Sequence, residues 1–134
     1  MKNSFFAVFS LFFMFFLASC ASTPSKPLDT DKGRSFVAQS SLQDTHNAAK
    51  SALAEFNFAL EKDTPNYLQG SRARQVGLLV GSGGETAGIW LEAQGDKQTH
   101  VLVDSAETFV GYAGQKDWSE EIINSIKRNL DETK

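Results

Sequence analysis

The feature that most restricts what this chain can fold into is a hydrophobic period that changes twice after residue 40. In "SSLQDTHNAAKSALAEFNFALEKDTP", Leu42, His46, Ala49, Leu53, Phe56 and Leu60 recur three and four apart, which is one face of an α-helix. Ser40 with Gln43, or Ser41 with Asp44, supplies a helix-start capping pattern, and Pro65 cannot continue a helix. The spacing predicts a helix over 41–62. The period then becomes two: Val76, Leu78 and Val80, then Ile89, Leu91 and Ala93, then Val101 and Val103. "TFVGYAG" continues the series, and residues 66–73 offer one strand more. Between these runs "GSGGE", "QGDK" and "DSAE" are turn-rich and short enough for hairpins. The helical period returns in "DWSEEIINSIKRNLDETK", where Trp118, Ile122, Ile126 and Leu130 share a face. Asp117 and Glu120 form a capping pair there, and Lys127 and Arg128 complement the negative pole of the helix.

Each helix has one apolar stripe and each strand one apolar face, and both must be buried. The expected fold is therefore α+β. It is a two-layer sandwich, an antiparallel four- to five-stranded meander flanked on one face by an N-terminal and a C-terminal helix. Residues 41–134 make up this single domain.

The chain begins Met1-Lys2-Asn3 and runs "SFFAVFSLFFMFFLA" to Ala18. A basic start, an apolar core and small residues before a break are the layout of a secretory signal. The run is shorter than the roughly 20 apolar residues of a spanning helix. The single cysteine of the chain, Cys20, follows directly. Leu17-Ala18-Ser19-Cys20 resembles the lipobox of bacterial lipoproteins. That resemblance implies that residues 1–19 are a cleaved signal peptide and that Cys20 carries a diacylglycerol thioether and an acylated amine. Ala21, rather than Asp, after the cysteine implies the outer membrane, with the domain facing the periplasm. Thiolate nucleophilicity is the reason a cysteine is needed. Two or three acyl chains hold where one does not, at about 0.8 kcal/mol per buried methylene. Residues 20–40, rich in Ser, Thr, Pro, Asp and Lys, then read as the lipidated cysteine and a flexible tether, with Phe36 and Val37 able to dock on the domain. The domain itself resembles small uncharacterised envelope lipoproteins, through its helix–strands–helix order alone.

Removal of Lys2 with the leader takes the formal net charge from −3 to −4, so electrostatics give no reason to expect nucleic acid. With Cys20 acylated no intramolecular disulfide can form, and stability must come from one apolar core. Catalytic motifs are scarce. "GSGG" at 81–84 is followed by Glu85 and lacks the Lys-Ser/Thr of a phosphate loop, so it reads as a hairpin loop. His46 lies on the helix stripe, His100 points away from the core, and two isolated histidines do not make a zinc site. No "GxSxG" elbow occurs. Arg72 and Arg74 read as a solvated strand face. No catalytic residue, metal ligand or cofactor is expected.

One pattern is less ordinary. If Val76, Val80, Ile89, Leu91, Val101 and Val103 face the helices, then Leu79, Trp90 and Leu102 face the other way, where polar residues are the rule. Such a patch calls for a cover. The tether through Phe36 and Val37, a second copy or an envelope protein, and a small apolar ligand all qualify. Two functions are consistent with this: a membrane-anchored, non-enzymatic interaction or envelope-assembly module, and a ligand-binding accessory lipoprotein for a lipid or a cell-wall glycan. The anchor has a direct check. Metabolic labelling with a fatty-acid analogue is expected to mark the wild-type chain and not Cys20→Ala; equal labelling of the two removes the anchor.

Overall fold

Helix α1 spans Leu42–Glu55 and takes Ser41 as its N-cap. The Asp44 N–H donates to Ser41 Oγ at 3.1 Å, which satisfies one of the open donors of the first turn. The other end closes long before Pro65. Asn57 adopts a left-handed φ of 59°. The Phe58 N–H donates to Leu53 O at 2.9 Å and the Asn57 N–H to Ala54 O at 3.0 Å. These two bonds are a Schellman closure, and asparagine tolerates the left-handed position better than most side chains. The chain reverses there into strand β2, Ala59–Thr64. The helix predicted over 41–62 is thus too long, because its last residues are strand and Leu60 is 37% exposed rather than buried. The cause is packing. Phe58, which helical spacing leaves off the stripe, is 5% exposed, and the reversal is what inserts it into the core.

The structure, a computed structural model, describes residues 30–72, 75–76, 81–82, 84–106 and 116–133. The leader, Cys20, Leu79, Arg74 and the strand expected at "TFVGYAG" lie outside these residues. The remaining elements are β1 (Arg34–Ala38), β3 (Tyr67–Ser71), β4 (Gln75–Val76), β5 (Gly81–Ser82), β6 (Thr86–Ala93), β7 (Thr99–Ala106) and α2 (Ser119–Glu132). Five strands form one antiparallel sheet in the order β1-β7-β6-β3-β2, and β4 pairs with β5 separately. The α+β sandwich is as expected, with β2, β3, β6 and β7 as the meander. Three details differ. Residues 34–38, assigned to the tether, are an edge strand of the sheet. Gly81 and Ser82, assigned to a turn, pair with Gln75 and Val76. The 66–73 strand, which was optional, is real as β3.

Because β1 and β2 are opposite edges, α1 crosses the whole sheet between them. It packs over β6, β2 and β3, while α2 packs over β7 and β1 and against α1. The pleat turns Leu68, Ile89, Val101 and Val103 toward the helices, each 0% exposed. They meet Ala49, Ala52 and Leu53 of α1 and Ile122 and Ile126 of α2. Small alanines let α1 lie close to its neighbours, and the isoleucines of α2 fill the remaining volume. Gly70 serves the same closeness, since a Cβ there would lie 2.9 Å from Phe58 Cβ.

Polar contacts fix how the helices sit. Arg128 Nη2 reaches both Glu55 oxygens at 2.7 and 2.9 Å, and the buried Ser125 hydroxyl donates to the same carboxylate. Arg34 Nη1 donates to Glu120 Oε2 at 2.6 Å and ties β1 to α2. Lys127 Nζ lies 5.0 Å from the Phe36 ring. So Lys127 and Arg128 act on neighbouring elements rather than on the helix pole, and the last turn of α2 holds no basic residue. The expected Asp117–Glu120 capping pair does not form: Trp118 is the N-cap without a side-chain cap bond, Asp117 Oδ1 accepts the Ser119 N–H at 2.9 Å, and Glu120 turns to Arg34.

Asn57 should carry a measurable share of the fold. Asn57→Val forces a β-branched residue into the left-handed region and is expected to destabilise by about 1–3 kcal/mol. Asn57→Gly should be neutral or better. Denaturant unfolding of the two variants measures both.

Candidate functional site

The face of the sheet away from the helices carries Trp90 and Leu102, two of the three residues expected there; Leu79 lies outside the described residues. Trp90 and Leu102 are Cα partners on β6 and β7, and Trp90 is also the partner of Tyr67 on β3. On the far side of Leu102 the partner is Ser35 of β1. Tyr67, Trp90 and Leu102 are all half-buried and form one row across three strands. The Tyr67 and Trp90 rings lie 5.1 Å apart, tilted by 41°. Cross-strand aromatic pairs of this kind contribute beyond their buried area. Tyr67 was missed in the sequence, although it stands one position before Leu68 and so must take the opposite face.

Neighbouring rows differ in character. One runs Gln69, Gly88, Asp104, and Gly88 offers no side chain beside Trp90. The other runs Glu92, His100, Val37, and Val37 is 44% exposed. Beside the aromatic pair a polar network is already joined. The Tyr67 hydroxyl donates to Gln69 Oε1 at 2.8 Å, and Gln69 Nε2 donates to Glu61 Oε2 at 3.0 Å. Ser71 Oγ donates to the second Glu61 oxygen at 2.5 Å. Lys62 Nζ lies 6.0 Å from the Tyr67 ring.

Phe36 and Val37 do not cover this row as a tether would. Phe36 takes the helix side and packs against the core, and Val37 adds to the exposed apolar surface. What approaches Leu102 instead is Gly33, where a Cβ would lie 2.7 Å from Leu102 Cδ1. Glycine at 33 lets the incoming backbone pass against Leu102. His100 faces away from the core, as its alternation indicates.

Arg72 is not on a solvated face. Its guanidinium stands 4.4 Å from the Trp118 ring and 5.7 Å from Phe58, and Trp118 in turn contacts Phe56 at 5.4 Å. Planar guanidinium on an indole is a favourable cation–π arrangement. Glu85, paired with Arg72 through the Arg72 N–H to Glu85 O bond of 2.9 Å, is only 1% exposed. Among the described residues no hydrogen-bond partner meets either of its carboxylate oxygens.

A second cleft, of about 330 Å³, is lined by Leu42, Gln43, His46, Asp63, Thr64 and Pro65. In it Asp63 meets two side chains of α1: Lys50 Nζ at 2.7 Å and His46 Nε2 at 2.8 Å. The half-buried His46 is thereby tied to strand β2. Among the described residues no three His, Cys, Asp or Glu side chains gather as a metal ion would need, and no helix is long and apolar enough to cross a membrane.

Four carboxyls are held below their ordinary values. Ser125 and then Arg128 lower Glu55, and Lys50 and then His46 lower Asp63. Burial works to raise Asp117, but the Ser119 hydrogen bonds and Arg34 outweigh it. Lys116 lowers Glu121. A depressed folded-state value means that unfolding takes up protons as the pH falls. The stabilisation is present above the unfolded values of 4.5 for Glu and 3.8 for Asp, and is lost as pH drops through the folded ones. Thermal unfolding at low salt should therefore show a Tm that declines below about pH 4.5, less steeply in Asp63→Asn. No protein family and no curated protein matches this chain.

Proposed function

We propose that the protein is an envelope lipoprotein, held on the membrane by acylated Cys20, whose domain acts as a non-enzymatic interaction module. The outer membrane, facing the periplasm, is its location in this reading. The observation that carries the interaction role is the Tyr67–Trp90–Leu102 row, extended by exposed Val37, on the face that neither helix covers. Half-buried aromatic and aliphatic side chains bordered by polar rows are the composition of a binding hot spot with its rim. The lipobox supports the anchor, and restriction to a membrane surface raises the effective concentration of a partner in the same plane. Gly33 supports the geometry, because the segment leading back toward Cys20 meets the sheet on this same face.

A second reading draws on the polar network. Tyr67 and Trp90 beside the joined Glu61, Gln69 and Ser71 offer stacking surface and hydrogen bonds to a cell-wall glycan or a lipid headgroup. Native mass spectrometry of the detergent-purified full chain separates the two, as a retained small molecule favours the ligand.

The test of the main reading is affinity capture of the full chain from detergent-solubilised envelope, wild type beside Trp90→Ala. Truncating a central aromatic should cost about 2 kcal/mol, so recovery of a defined partner should fall by more than tenfold. Equal recovery, with unchanged circular dichroism, removes the row from the function.

A further inference from the structure

The two edges of the sheet are not alike. Strand β2 is exposed along its length, carries Glu61, Lys62 and Asp63, and is interrupted by a register shift between Leu60 and Lys62. Charges and a bulge are how natural sheets block further pairing. Strand β1, "RSFVA", has one charge, no proline and an unbroken register with β7 from Arg34↔Val103 to Ala38↔Thr99. Its single charge, Arg34, is already engaged with Glu120 and Asp117. Among the described residues β1 has β7 as its one strand neighbour.

Hydrogen-bond alternation tells which backbone groups of β1 are open. The Leu91 N–H donates to Asn66 O at 2.9 Å, so Leu91 and every second residue of β6 turn their backbone toward β3. Trp90 and Glu92 therefore turn theirs toward β7, where Leu102 and His100 oppose them. Thr99, Val101 and Val103 are left to bond β1, through Ala38, Phe36 and Arg34. It follows that Ser35 and Val37 direct their N–H and C=O groups off the sheet. Both residues are exposed, Val37 at 44%.

We infer that β1 is a homodimer edge: two copies of this chain pair antiparallel through Ser35 and Val37, with a two-fold axis at Phe36. In this register Ser35 of one copy exchanges both backbone bonds with Val37 of the other. Arg34 stands opposite Ala38, so no like charges are opposed. The pairing satisfies its own surface, as an isologous interface must. It also makes one continuous sheet whose helix-free face carries both Trp90 rows. The upstream segment of the same chain is a poor competitor for the edge. Pro24 and Pro27 are three residues apart, so in any extended register one of them falls at a ladder position and cannot donate. The bulged, charged β2 edge of another copy is equally unsuited. This inference does not depend on the anchor or on the partner proposed for the Trp90 face.

The experiment is the mass of the full chain in detergent, by light scattering corrected for bound detergent, at about 10–100 µM. Wild type should give the mass of two chains. Val37→Pro removes a donor that no described residue of the same chain takes up, and Val37→Lys places a charge on the edge; both should give one chain with unchanged circular dichroism. Trp90→Ala should keep the two-chain mass. A single-chain wild type overturns the inference. So does a two-chain mass retained by both Val37 variants, or one lost in Trp90→Ala.

Discussion

The β6–β7 ladder, running from Thr86↔Ala106 to Ala93↔Thr99, is the constraint from which the rest of the structure follows. Its pleat sends Ile89, Leu91, Val101 and Val103 to one side and Trp90 and Leu102 to the other. A slip of one residue in β6 would turn that strand over, burying an indole against α1 and placing Ile89 and Leu91 in solvent. The register is therefore fixed by the helices on one face, and the apolar row on the other face is fixed with it. Core and candidate site are two consequences of a single pairing.

The helices reach that ladder through specific closures. The Schellman end at Asn57 turns the chain so that Phe58 enters the core and β2 takes the far edge. Glu55, the last residue of α1, is then in place to bind Arg128 and Ser125 of α2. Asp63 on β2 reaches back to Lys50 and His46. Charged groups thus sit where the chain changes direction, and the apolar groups fill the layer between. The same division places the expected acid sensitivity in the paired carboxylates rather than in the core.

The proposed surfaces lie apart from this framework. The Tyr67–Trp90–Leu102 row needs no movement of either helix to be reached, and the β1 edge lies at the border of the same face. Gly33 brings the upstream chain against Leu102.

The sequence by itself determined the class of fold, the apolar face of α2 and the split of β6 and β7 into opposite faces, because periodicity is a local property; α1 instead buries Thr45, Ala48 and Ala52 beside the expected Ala49 and Leu53. Ile122, Ile126, Leu130, Val101 and Trp90 could each be placed from their near neighbours in the chain. It also carried Leu17-Ala18-Ser19 before the lone cysteine, the resemblance on which the proposed anchor rests. It misassigned what depends on distant residues. Leu60 continues a helical spacing past a reversal that only the burial of Phe58 explains. Residues 34–38 have the composition of a tether and become a strand because β7 offers an unpaired side. Arg72 looks solvated until Trp118, far along the chain, arrives beneath it. Tyr67 joins the candidate site only through its pairing with Trp90. Tertiary structure decided these points, since each depends on a surface that exists only once two remote segments have met.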